Sequence, residues 1–353
     1  MPNAYYTCNL LPLELVVRAG YSPRWLGEHL QDPSAPARRD ALSIHPMTCP
    51  YVTRLVAAAD ALFDDPAESD VLLVPGGCDA MRRLGDLLDA TYPGKVFVLS
   101  LGRSSGDEEV ATLSGDLARL EGWLSERAAQ IGSAAGGAET APMATAGKGT
   151  PRVDYPTAPR PGGVFGVAGP LTDNSLLRLI ERLGASVSGL ESCTSPDRWK
   201  PLAAAGNLHA TTASGACAGP AGAAATQSCG PATGSGTAGG GSYLALAREV
   251  LTLGMCPRRS TAERRDHLTR RLDESQPSSV IYARQSFCDP GAYDAVLVAQ
   301  LAKERGLPFL EIEVGFPFEA SGPLHTRVEA FLEAQLLDDD LLDDLLDDLL
   351  DEE

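Results

Sequence analysis

Residues 279–314 read SVIYARQSFCDPGAYDAVLVAQLAKERGLPFLEIEV. Ser279 to Arg284 holds an apolar run of strand length, and Cys288-Asp-Pro290 is turn chemistry. Ala292 to Arg305 then carries apolar residues at helical spacing and stops at Gly306, and Pro308 to Val314 is a second apolar run. A strand, a helix and a strand joined this closely form a βαβ unit, whose two strands run parallel. The unit predicts an α/β fold with parallel sheets.

The same alternation extends outward. Gly163 to Ala168 and Ala185 to Leu190 read as strands around a helix at Ser175 to Leu183. Tyr243 to Leu253 and Ser260 to Asp273 read as helices, the second opened by the capping-box pattern Ser260-Thr-Ala-Glu263. In the first half, strands at Val71 to Pro75 and Lys95 to Ser100 flank a helix at Asp79 to Ala90; Glu108 to Ile131 is the longest helix, and Thr326 to Leu336 closes the fold. Two tracts rich in Ala, Gly, Thr and Pro or Ser lack any periodicity: residues 133–161, read as a linker, and 203–242, read as a low-complexity insertion. The chain therefore divides into an N-terminal α/β domain (1–132), the linker, and a C-terminal α/β domain (162–336). The tail, 337–353, repeats Leu-Leu-Asp-Asp and reads as a disordered acidic segment, with a partner-docking helix as the other reading.

Net charge is −18, but ten of the 47 acidic residues lie between Asp338 and Glu353. Setting those aside leaves about −8, and no basic stripe stands out, which argues against a nucleic-acid binder. The longest apolar runs, Leu10 to Val17 and Val71 to Pro75, fall far short of the roughly 20 residues that span a bilayer. Met1 to Tyr6 offers no secretory signal, so a cytoplasmic protein with no membrane partner is expected.

Eight cysteines then require an explanation other than disulfides. None forms a CxxC pair, which leaves inert core thiols, a catalytic thiol, or a metal site gathered from distant segments. Cys49, Cys78 and Cys288 share a context: each is followed at once by Pro or Asp and then by a helix-compatible stretch. A thiol at a helix N-terminus is expected to have a lowered pKa, and the thiolate is the form that ligates metal. Loops at the carboxyl ends of parallel strands converge on one crevice, where three such thiolates suit an iron–sulfur cluster with one open iron. Unrelated buried or N-cap cysteines remain the competing reading.

Other motifs are weaker. Gly234-Ser-Gly236-Thr-Ala-Gly239 fits GxGxxG but lacks the strand before it. His45 stands near Cys49 in sequence, yet a Cys–His dyad cannot be inferred from that spacing, and His29, His209, His267 and His325 form no HExxH. GxxxxGK[ST] is missing, so the chain is not expected to hydrolyse ATP itself.

At these residues the sequence resembles the 2-hydroxyacyl-CoA dehydratases, with the related benzoyl-CoA reductases and double-cubane cluster proteins. Tyr5-Tyr-Thr-Cys8 with Pro12-Leu-Glu14 and Ala19-Gly20 is similar to the family's opening. Cys49-Pro-Tyr-Val-Thr-Arg54, Cys78-Asp-Ala-Met-Arg-Arg83 and Cys288-Asp-Pro290 look like its three ligand motifs. Gly166 to Pro170, Gly184-Ala185, Glu311-Ile-Glu313 and Gly322 to Phe331 resemble its second domain. The resemblance implies two Rossmann-like (flavodoxin-like) domains with a [4Fe-4S] cluster held by Cys49, Cys78 and Cys288 in the cleft between them. It implies a dimer with a related subunit, an ATP-dependent iron–sulfur activator that supplies an electron, and a ketyl-type radical dehydration of an (R)-2-hydroxyacyl-CoA to the enoyl-CoA. Cys8, Cys193 and Cys256 stand as lesser ligand candidates, through which a larger double-cubane cluster and a reductase activity are the alternative. A non-catalytic or electron-relay partner subunit is the third reading.

Overall fold

The computed structural model describes residues 2–31, 44–63, 69–134, 160–194, 240–253 and 256–335. The linker, the low-complexity insertion and the acidic tail lie outside the described residues except at their margins, as do Cys217 and Cys229.

Four parallel strands make the first sheet: β1 (Asn3–Tyr6), β2 (Ser22–Trp25), β3 (Val71–Gly76) and β4 (Val96–Ser100), in the order β2-β1-β3-β4. A second parallel sheet repeats the plan with β5 (Val164–Ala168), β6 (Val187–Ser192), β7 (Ser279–Gln285) and β8 (Phe309–Val314), in the order β6-β5-β7-β8. Both orders are those of an open, flavodoxin-like doubly wound sheet.

Burial on both faces explains the apolar runs. In β3, Val71 and Leu73 enter one core while Leu72 and Val74 enter the other. The first of these cores is covered by α1 (Leu13–Arg18) and α4 (Asp107–Ala134), the second by α2 (Pro50–Phe63) and α3 (Asp79–Thr91). Around the second sheet, α5 (Ser175–Arg182) and a helix over residues 322–335 cover one face. On the other face lie α7 (Thr261–Ser275) and α8 (Asp289–Glu304). No helix among the described residues is long and apolar enough to cross a membrane.

Three features differ from the linear reading. β1 and β2 carry no apolar run, yet β1 is a central strand, paired on both sides, where Tyr5 stands opposite both Arg24 and Leu72. The helix α6 (Gly240–Thr252), grouped by sequence with the second half, packs on the first sheet's core. Its Leu246, Ala247, Val250 and Leu251 share that core with Leu113, Leu117, Leu120 and Leu124 of α4. Third, Ser260 is the N-cap residue of α7 but its side chain caps no amide; its hydroxyl donates to the Glu263 carboxylate at 2.9 Å. Glu263 in turn accepts from the amide and hydroxyl of Ser105, tying the start of α7 to the loop after β4.

Candidate metal centre

Cys78 is the N-cap of α3 and Cys288 the N-cap of α8; Cys49 immediately precedes α2. Cys78 follows β3 and Cys288 follows β7. These strands stand beside β1 and β5, the pairs at which each strand order reverses. Loops at such switch points open on a crevice at the carboxyl ends of the strands. Here the crevice is one cavity of about 590 Å³ lined by Cys49, Cys78 and Cys288 together, so segments some 240 residues apart reach the same space.

Local geometry aims these sulfurs. Cys288 Sγ accepts a hydrogen bond from the Gly291 amide at 3.4 Å, and a Cβ at Gly291 would lie 3.2 Å from that sulfur, so glycine keeps the approach open. Phe287 precedes it at φ +55°, a left-handed conformation unusual for a bulky residue, and lines the same cavity. The apolar wall comes from Val52, Val56, Leu84 and Leu87.

The expected lowering of the thiol pKa is overturned. Burial pushes Cys78 up to about 12, against the Met81 amide, and the neighbouring Cys256, Cys288 and Cys49 add to the rise. Burial likewise takes Cys288 to about 12, helped by Cys49 and opposed by the Gly291 amide. Cys49 is raised too, with the Val52 and Tyr51 amides pulling the other way. A helix terminus supplies about 0.3–1 kcal/mol, less than one pKa unit, whereas desolvation shifts buried groups by several units.

The lesser candidates fall into two places. Cys256 lies close enough to Cys78 and Cys288 to raise both, and the residues that follow it, Pro257 and Arg258, line the cavity. Cys8 and Cys193 stand with Cys49 around Tyr51, whose buried hydroxyl donates to the Thr7 carbonyl at 2.7 Å. His45 also lines the cavity, with Nδ1 accepting from the Met47 amide at 3.2 Å.

Sequence reasoning did not single out Arg258, which is 4 % exposed and lies over Gly77. Arg103 fixes its loop, donating from Nε to the Arg258 carbonyl at 3.2 Å while its own carbonyl accepts from the Ser260 amide at 2.8 Å. The only hint in the sequence was its place two residues after Cys256.

Among the described residues no three His, Cys, Asp or Glu side chains close in tightly enough to hold a single metal ion. Three soft donors spread around a cavity of this size, each sulfur facing main-chain amides, instead suit a polynuclear iron–sulfur group. No curated protein matches the chain. A family model described as 2-hydroxyglutaryl-CoA dehydratase, D-component, matches residues 223–334, roughly a third of the chain and the stretch that carries Cys256, Arg258 and Cys288.

Proposed function

We propose that this chain is an iron–sulfur subunit of a 2-hydroxyacyl-CoA dehydratase-type enzyme, with Cys49, Cys78 and Cys288 as the ligands of a [4Fe-4S] cluster. The observation that carries the reading is the meeting of these three thiols in one cavity at the switch points of both sheets; the dehydratase family match supports it. Bound there, the cluster would supply a one-electron reductant and an open Lewis-acidic iron, the chemistry needed to expel the hydroxyl of an (R)-2-hydroxyacyl-CoA and leave the enoyl-CoA. The chain's residues prepare that site. Burial keeps the free thiols protonated, so each ligand gives up its proton on binding metal. The Gly291 amide hydrogen-bonds the Cys288 sulfur and fixes its direction, and Val52, Val56, Leu84 and Leu87 give the reacting centre an apolar wall.

With no phosphate loop in the sequence, ATP is handled by a separate activator that delivers the electron, and a related subunit completes a dimer. We place the reaction in the cytoplasm, where thiols stay reduced. A second reading, a larger double-cubane cluster in a reductase, is favoured by Cys256, whose influence reaches both Cys78 and Cys288.

Anaerobic reconstitution of the full chain with iron and sulfide tests both. About four irons per chain, lost in Cys49→Ser, Cys78→Ser and Cys288→Ser, is the expected result. About eight, lost also in Cys8→Ser and Cys193→Ser, would favour the larger cluster. A colourless protein without iron would refute both readings.

A further inference from the structure

We infer that Arg258 is a positioning residue for charge: its guanidinium, fixed over Gly77 beside Cys78, sets the reduction potential of the metal centre. The inference rests on the iron–sulfur reading above. Arg258 is 4 % exposed and lines the cavity that holds Cys49, Cys78 and Cys288. A Cβ built on Gly77, the residue before Cys78, would lie 2.9 Å from Arg258 Cδ and 3.2 Å from its Nε. The guanidinium end of the chain therefore occupies the volume next to a ligand, and it does so because residue 77 is glycine.

The loop that carries Arg258 is held from several directions. Arg103 bonds it through main-chain atoms at both Arg258 and Ser260. The Arg259 guanidinium reaches Glu263 at 2.9 Å, and Glu263 is bonded to Ser105. These contacts hold the backbone of the loop, and the Arg258 side chain it carries is buried against Gly77. Three thiolates bring more negative charge than the iron–sulfur core offsets, and each added electron deepens the excess. A guanidinium, always protonated, is the side chain suited to balance such charge from a buried position. Its field favours the reduced state, so its presence raises the potential. Arg83 lines the same cavity, but its side chain is 73 % exposed, and water screens it.

The test is a mediated potentiometric titration of the reconstituted full chain, followed by electron paramagnetic resonance, with iron counted in each sample. Arg258→Met is expected to lower the potential by at least a tenfold change in the one-electron equilibrium constant, 59 mV. Arg258→Lys, which keeps the charge, is expected to recover most of that drop. Gly77→Ala keeps the arginine but displaces it, and is expected to lower the potential by less than Arg258→Met. Should Arg258→Met fail to fold or to hold iron, Gly77→Ala decides: a lowered potential at full iron content supports the inference and an unchanged one overturns it. Wild-type potentials in all three variants, or an equal drop in Arg83→Gln, also overturn it. A wild-type chain that takes up no iron at all refutes instead the reading on which the inference rests.

Discussion

At Cys78 and Cys288 two influences act on one sulfur with opposite sign. The main-chain N–H groups of a helix start favour the thiolate, and removal from water favours the thiol; at about 12 for both, burial wins. Glu263 shows the reverse balance. Burial raises its pKa, but the hydroxyl and amide of Ser105, the hydroxyl of Ser260 and the Arg259 guanidinium together bring it down to about 2. A carboxyl whose folded pKa lies below its ordinary 4.5 contributes stability above that value and loses it as pH falls toward about 2. Glu263→Gln keeps the shape and removes the charge. It is expected to lower stability by about 1–2 kcal/mol at pH 7. The gap between the two proteins should narrow as pH falls from 4.5 toward 2, as read from urea midpoints across that range. A gap independent of pH would mean that the amide serves as well as the carboxylate.

At the scale of elements, the second sheet is tied to two of its helices by buried charge. Arg264 of α7 donates to both carboxylate oxygens of Asp294 on α8 at 2.8 Å, and Tyr282 of β7 donates to the same carboxylate at 3.1 Å. On β6, Glu191 meets Arg271 at 2.6 Å and His267 at 3.0 Å. Removing one member strands a buried charge, whereas replacing both removes the need for a partner. Asp294→Ala is therefore expected to cost about 3–5 kcal/mol, and the double variant Arg264→Met, Asp294→Leu to recover most of it. Chemical denaturation of the three proteins decides. A double variant as unstable as the single one would show that the ion pair itself, and not the stranded arginine, carries the stability.

These elements also show what periodicity can and cannot reveal. β3, β7 and α8 announce themselves because a strand buried on both faces needs a continuous apolar run, and α8 needs an apolar stripe ended by Gly306. β1 has four residues, Asn3-Ala-Tyr-Tyr6, too few for any period, and its place follows from pairing with β2 and β3. The Cys-Pro and Cys-Asp junctions were legible because N-cap chemistry is local. The sign of the thiol shifts was not, since desolvation depends on which segments meet. Arg258 was hidden for the same reason: its role is defined by Gly77, 181 positions away in the chain.

Over the whole molecule, the path of the chain joins the two sheets at the candidate metal centre. After β6 the backbone returns to the first core as α6, runs through Cys256 to Ser260 along the loop after β4, and enters the second core as α7. Residues 240–253 and 256–260 thus act as a strap whose anchor is apolar and whose far end carries Arg258 into the cavity wall. Leu246 is 2 % exposed within that anchor, so Leu246→Ala is expected to cost about 2–4 kcal/mol. The loss should also be local. Hydrogen exchange is expected to rise in α4, α6 and residues 256–260, while β5 to β8 keep their protection, because their cores hold no residue of α6. Faster exchange confined to the second sheet would mean that the strap belongs to that half after all. Faster exchange throughout would mean that both sheets unfold as one unit, with the strap as part of their shared core.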